Sequence, residues 1–229
     1  MDYIDFTKYK KIDYPYPHMI IDNIFEKDVF DNLVKEFPDV SNRATIMGGR
    51  KKMNTVDGLG WMDNAPTWKS FYSWLNSDSV FHSVINDYDE YLKQWSSVID
   101  NKCSLETNCF THIDWSSAED GYNREIHRDT DKRIWNFLIF LSDKDWDGGD
   151  FIMHETGDLQ SYPHQVFNKE LPIYKTVEAK KNMGVFFLST PDSYHSVSKQ
   201  YNTKSPRKFI YGSYSYRNGD VFRKRFKWI

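Results

Sequence analysis

A chain of 229 residues is long enough to bury one sizeable hydrophobic core and short for two independent ones. With 30 basic against 33 acidic residues, a formal charge of −3, it has no global positive field to draw a polyanion, which argues against nucleic acid as a partner. An aromatic content of 17%, spread over 8 Trp, 15 Tyr and 16 Phe, excludes a disordered chain and suits strands held by cross-strand aromatic pairs.

The first thirty residues mix charges where an export signal would need a basic start and an apolar stretch, and no apolar run approaches the roughly 20 residues that cross a bilayer. Two cysteines, Cys103 and Cys109, are too few to staple a secreted scaffold. The expectation is a cytoplasmic protein with no membrane partner and with reduced thiols, although the spacing permits a Cys103–Cys109 bridge. No motif specifies an oligomeric state.

In chain order, Val29, Phe30, Leu33, Val34 and Phe37 recur at helical intervals and Pro38 ends the pattern, which predicts an amphipathic helix over Glu26–Phe37. Met47–Gly60 reads as a polar, glycine-bearing connection. Two more helices are predicted over Pro66–Asn76 and Asp78–Trp95, the second with Val80, Val84, Tyr88, Tyr91, Leu92 and Trp95 on one side. From Cys103 the period changes to two, with strands near 105–115, 122–128, 134–142, 150–154, 173–179, 184–189, 195–199 and 207–217. Eight strands suit a double-sheet jelly roll, and the helices would cover an apolar sheet face. The expected fold is mainly β, a double-stranded β-helix packed by N-terminal helices. It forms one domain over 1–229, with a helical flank to 100, a core over 101–217 and a basic aromatic tail over 218–229.

His127-Arg128-Asp129 carries the first chemistry. In a strand, residues two apart project from one face, so His127 and Asp129 can grip one ion, and His195 offers a third ligand. Two imidazoles and a carboxylate on one side of a metal leave the opposite positions open, as in non-haem Fe(II) oxygenases. Arg207, beyond His195, can anchor a dicarboxylate through two parallel hydrogen bonds from an always-charged guanidinium. A second His-x-Asp, His112-Ile113-Asp114, competes on pattern alone. The first is preferred because it is followed by an apolar strand and by Asp145-Trp146-Asp147-Gly148-Gly149-Asp150-Phe151, whose paired glycines permit a tight turn.

Taken in order, His127-Arg128-Asp129, Phe140-Leu141-Ser142, Trp146, Gly148-Gly149-Asp150-Phe151, Gly184-Val185-Phe186-Phe187, His195-Ser196-Val197 and Arg207 resemble the 2-oxoglutarate and Fe(II)-dependent dioxygenases, in their prolyl 4-hydroxylase-like branch. Pro17–Phe25 is similar to that branch's first strand. The resemblance implies Fe(II) on His127, Asp129 and His195, with 2-oxoglutarate as cosubstrate and O2 as oxidant. It implies hydroxylation of a C–H bond with release of succinate and CO2, on a peptidyl or free amino acid or another small molecule. Halogenating relatives vacate the position that Asp129 fills, so halogenation is disfavoured.

The chain also departs from that branch. Phe140 stands where a cosubstrate-binding tyrosine is common, and Phe209 replaces a small hydroxylated residue seen in some relatives. Asn136, the one strongly polar residue of its strand, is the candidate to assist Arg207 at the distal carboxylate, the alternative being an amide satisfied by neighbouring backbone. Phe137, Leu138, Phe186 and Phe187 can supply apolar walls but read first as core. The long polar interval 154–171 has the character of a lid or binding loop, and its His154 and His164 lack a carboxylate two residues away. Arg217, Arg223, Lys224, Arg225 and Lys227 alternate with Phe222, Phe226 and Trp228, which suits docking of the tail on the body better than a single-strand nucleic-acid contact. Two rival functions share these letters: a cupin-like metal-binding protein without oxygenase activity, and a nucleic-acid demethylase built on the same iron centre.

Overall fold

The computed structural model describes residues 2–87, 109–129, 133–156, 170–190 and 192–216. Among the described residues ten strands form two antiparallel sheets. The larger runs β1 (His18–Asp22), β8 (Met183–Leu188), β5 (Arg133–Phe140), β10 (Arg207–Tyr216), β3 (Cys109–Ala118), β2 (Arg50–Asn54) from edge to edge. The smaller runs β4 (Arg124–His127), β9 (His195–Val197), β6 (Phe151–His154), β7 (Ile173–Val177).

Period-two alternation gives the large sheet two apolar faces. Its outer face, with Ile113, Trp115, Trp135, Phe137, Ile139, Phe186, Leu188, Ile210 and Tyr214, packs on the helices. Its inner face, with Ala118, Leu138, Phe140, Val185, Phe187 and Phe209, meets Phe151, Met153 and Val197 of the small sheet. Phe137 and Phe186 are thus core residues on the helical side, whereas Leu138 and Phe187 face between the sheets. The register across three strands places Arg50 and Arg207 opposite the same Ala118.

Helix α1 (Lys27–Lys35) buries Leu33 and accepts a 2.9 Å hydrogen bond on the Leu33 carbonyl from Trp68 Nε1. Helix α3 (Pro66–Leu75) begins at Pro66 without a side-chain cap of its own. The Glu36 carboxylate, just past α1, caps it instead, accepting from Thr67 N and Thr67 Oγ1 at 2.8 Å each. Such a cap satisfies an orphan N–H and sets a negative charge at the positive end of the helix. Helix α4 (Asp78–Asp87) follows the expected start, and the rest of the interval predicted to Trp95 lies outside the described residues.

Met47–Gly60 differs from its reading as a connection: it contains β2 and a helix, α2 (Thr55–Met62). An edge strand is held by main-chain pairing with a single neighbour, here β3, so it can consist of the largely polar Arg-Lys-Lys-Met-Asn and show no apolar alternation. Asn54 caps α2, accepting from Asp57 N at 3.0 Å. Gly58 allows the helix to lie against the sheet, because a Cβ there would stand 2.7 Å from the Trp115 ring. The entry strand expected within Pro17–Phe25 is β1, so β2 is the one strand of the ten among the described residues that was not expected. No helix among the described residues is long and apolar enough to cross a membrane.

Candidate active site

Between the sheets lies a cavity of about 200 Å³ lined by Met47, Arg50, Lys52, Asp114, Tyr122, Arg124, His127, Asp129, Arg133, Leu138, Phe151, His195, Val197, Phe209 and Tyr211. A larger depression, about 410 Å³ between the N-terminal segment and α4, contains no such cluster of titratable groups.

Strand pairing explains how ligands distant in sequence meet. β4 and β9 are neighbours, and His127 stands directly opposite His195, their rings 4.3 Å apart between centroids. Asp129 follows just past the end of β4. Among the described residues these three form the one group of His, Cys, Asp or Glu placed to share a metal ion, with ligand atoms within 4.8 Å of one another. His127 Nδ1 lies 2.8 Å from the Glu125 carbonyl and His195 Nδ1 2.9 Å from the Ser193 carbonyl. A carbonyl only accepts, so each Nδ1 carries a proton, and in the neutral ring Nε2 is then the nitrogen left to bind a metal. Anchoring a ligand imidazole through its other nitrogen in this way is the usual support of a metal site.

The carboxylate is prepared by its surroundings. Burial alone would push the Asp129 carboxyl up, but His195 and Arg133, with a hydrogen bond from the Tyr211 hydroxyl, hold it below 3.8. Asp129 Oδ2 is buried and has no hydrogen-bond partner among the described residues, and it lies 3.7 Å from His195 Nε2. Burial, then the neighbouring His195, keeps His127 well below 6.5 and therefore neutral. Two imidazole nitrogens and a carboxylate oxygen that converge in a buried space fit an iron ion.

The second His-x-Asp pair is occupied differently. Asp114 is bound by Arg50 Nη2 at 3.2 Å, Lys52 Nζ at 2.7 Å and His112 Nε2 at 3.1 Å, and is spent as the centre of a salt-bridge cluster. His154 is also structural, its Nε2 2.8 Å from Ser196 Oγ. His164, Cys103, the basic aromatic tail from Arg217 and most of the 154–171 loop lie outside the described residues.

Arg207 is fully buried on the inner face of β10, and its Nε, Nη1 and Nη2 all lack a hydrogen-bond partner among the described residues. Its guanidinium carbon sits 4.8, 5.0 and 5.8 Å from the ring centroids of Phe209, Phe140 and Tyr122. Burial lowers its pKa to about 10, which leaves it charged at neutral pH. Trp146 Nε1 and Gln200 Oε1 are likewise buried and unpartnered. With Arg207 Nη1 they surround Gly149, where a Cβ would stand 3.0 Å from Trp146 Nε1, 3.2 Å from Arg207 Nη1 and 3.3 Å from Gln200 Oε1. A desolvated guanidinium with no acceptor is costly, and a carboxylate is the group that relieves it.

Asn136 does not assist Arg207. It stands opposite Ser213, six residues along β10 from Arg207, about 20 Å at roughly 3.3 Å per residue. Its Nδ2 donates to Ser189 Oγ at 2.6 Å and its Oδ1 lies 3.4 Å from the Tyr211 hydroxyl. The polar letter was correctly placed on the inner face, but it faces the iron-ligand end of the barrel. Tyr211, which sequence reasoning passed over, reaches both Asn136 and Asp129. The hydroxyl donates to Asn136 Oδ1 at 3.4 Å and is close enough to Asp129 to help hold its carboxyl down. The signal was available: period two from Arg207 puts 209 and 211 on the same inner face.

An antiparallel jelly roll carrying two imidazoles, a carboxylate and a buried guanidinium is the arrangement of an oxygenase that uses a dicarboxylate cosubstrate. The sequence signature of the 2OG-Fe(II) oxygenase superfamily matches residues 105–215, the stretch that holds most of the jelly roll and all four site residues. The match and the triad support a 2-oxoglutarate and Fe(II)-dependent dioxygenase, with Fe(II), 2-oxoglutarate and O2. Among solved structures it is similar to a prolyl 4-hydroxylase of Pseudomonas putida, with 14% identity and a TM-score of 0.54 over 88% of this chain and 93% of that one. It is also similar to a prolyl 4-hydroxylase of Phytophthora capsici, with 15% identity and a TM-score of 0.52 over 87% of this chain and 58% of that one. At such identities the likeness is one of fold. Among curated proteins, no sequence matches.

Proposed function

We propose that His127, Asp129 and His195 hold Fe(II), that Arg207 holds the distal carboxylate of 2-oxoglutarate, and that the chain hydroxylates a C–H bond of a peptidyl or free amino acid or a comparable small molecule. Bound together, Fe(II) and 2-oxoglutarate would supply the chemistry that puts one oxygen atom of O2 into the C–H bond and the other into succinate, with loss of CO2. The residues of the chain bind and orient. Glu125 and Ser193 carbonyls fix the imidazole tautomers, Tyr211 steadies Asp129, and Leu138, Phe151, Val197 and Phe209 keep the space apolar.

The observation that carries this reading is the unpartnered Arg207 guanidinium. A metal triad alone would serve a cupin-like binding protein equally well, but such a protein has no use for a buried cation lacking an acceptor. The fold likeness to prolyl 4-hydroxylases favours an amino-acid substrate. We read residues 1–229 as one dioxygenase domain, and two cysteines in so long a chain favour the cytoplasm. The test is succinate formation from 2-oxoglutarate with Fe(II) and O2 across a panel of amino acids and peptides, with His127→Ala as control. Turnover that survives in His127→Ala would reject the triad, and wild-type affinity for 2-oxoglutarate in Arg207→Met would reject the anchor.

A further inference from the structure

The cavity is lined from two strands that are edges among the described residues, β2 of the large sheet and β4 of the small. Both edges bring cations to it: Arg50 and Lys52 from β2, Arg124 from β4, with Arg133 at the start of β5. Against these four the wall carries two carboxylates, Asp114 and Asp129. Asp129 belongs to the metal in the reading above, and Asp114 is shared between Arg50 and Lys52. The excess is local, since the whole chain is slightly acidic at −3.

The four cations are not equivalent. Arg133 is directed inward, donating to Ser213 Oγ at 2.9 Å with its guanidinium 4.6 Å above the Tyr211 ring. Arg50 is buried and tied to Ser116 and Asp114. Lys52 is about one-third exposed and its single carboxylate partner is already claimed by Arg50. Arg124 donates from Nε to His127 Nε2 at 3.3 Å, using the lone pair that a metal ion takes. A metal ion on His127 Nε2 would take that lone pair and leave the Arg124 guanidinium on the cavity wall, on a different edge strand from Lys52.

We infer that the substrate is a small anion, whose carboxylate or phosphate is held by Arg124 and Lys52 at this mouth while its reactive C–H is directed inward to the metal. This rests on the proposed oxygenase reading and adds the substrate class. A cationic cleft concentrates anions, and a guanidinium and an ammonium on opposite edges hold the charged end away from the metal. Arg124 also couples the two events, because a metal that takes His127 Nε2 releases the Arg124 Nε now bonded to it.

The test uses the full chain loaded with Zn(II) and saturated with 2-oxoglutarate, so that no turnover occurs and Arg207 is occupied. Acetate and inorganic phosphate are titrated calorimetrically into wild type, Arg124→Gln and Lys52→Gln, with 2-oxoglutarate affinity and thermal unfolding measured on each. At least one anion should bind wild type and bind either variant about tenfold more weakly, the loss expected for one charge-assisted contact. The preferred anion distinguishes a carboxylate from a phosphate substrate. Absence of binding by both anions, or equal binding in all three proteins, would overturn the inference. Failure of 2-oxoglutarate itself to bind would strike the oxygenase reading alone, and the anions are then titrated into the Zn(II) protein without it. A second readout is stimulation of succinate formation by N-acetyl amino acids against their C-terminal amides, which lack the carboxylate: acids above amides supports the inference, and equal stimulation or amides above acids rejects it.

Discussion

The Phe209 ring lies 4.8 Å from the Arg207 guanidinium carbon, and the ring lines the cavity where the guanidinium does not. For a cosubstrate carboxylate to reach Arg207, that ring has to move aside. Replacing Phe209 by the smaller Leu should therefore speed 2-oxoglutarate association with the Zn(II) protein, at a stability cost of about 1 kcal/mol for the lost ring contacts. Stopped-flow fluorescence measures the rate. An unchanged rate would show that the ring does not gate the anchor.

Arg207 itself gives a test that separates ligand binding from folding. Three unpartnered guanidinium nitrogens in a fully buried position are an energetic burden on the protein alone. Methionine, similar in length and uncharged, should keep or raise the melting temperature of the metal-free protein, since replacing a buried charge by a packed apolar side chain is often stabilising by about 1–4 kcal/mol. The same variant should lose the stabilisation that 2-oxoglutarate confers on wild type, about 2.7 kcal/mol at a hundredfold excess over Kd. Thermal unfolding with and without cosubstrate reads both effects. A large destabilisation of the metal-free variant would mean that Arg207 is a structural residue.

The strands that carry the site were legible because each has period-two apolar letters bounded by turns, and His127, Asp129, His195 and Arg207 could be named from type and order. What the letters could not give was pairing. That His127 faces His195 depends on β4 and β9 being neighbours, a register no local pattern encodes. Asn136 was assigned to Arg207 for the same reason: its inward face was readable, but its distance along the barrel was not. β2 was missed because an edge strand is held through its backbone, so Arg50 and Lys52 had no apolar alternation to mark them.

Tyr211 supports Asp129 from the opposite sheet. Phe at this position keeps the ring, so the fold should be unaffected while Asp129 loses the hydroxyl that helps hold its carboxyl down. Metal affinity should fall about 10- to 100-fold, the usual effect of deleting an outer-shell partner of a ligand. Competition with a chromogenic chelator measures it. Unchanged affinity would assign the Tyr211 hydroxyl to Asn136 alone.

Asp114 makes the acid limb of stability predictable. Burial by itself would push its carboxyl up, but the hydrogen bond from His112 and the charges of Arg50 and Lys52 hold it well below the usual carboxylate range. A depressed folded-state value means that the unfolded chain takes up the proton first, near pH 3.9, so the stabilisation is complete above that pH and is lost as pH falls towards the folded value. Asp114→Asn leaves Arg50 and Lys52 without a counter-charge and should cost about 3 kcal/mol at neutral pH. In urea unfolding across a pH series, the gap between wild type and variant should stay level from about pH 8 to pH 5 and narrow only below about pH 4. A gap that already narrows between pH 7 and pH 5 would mean that the cations do not hold the carboxyl down, and that the cluster lining the mouth is weaker than its distances imply.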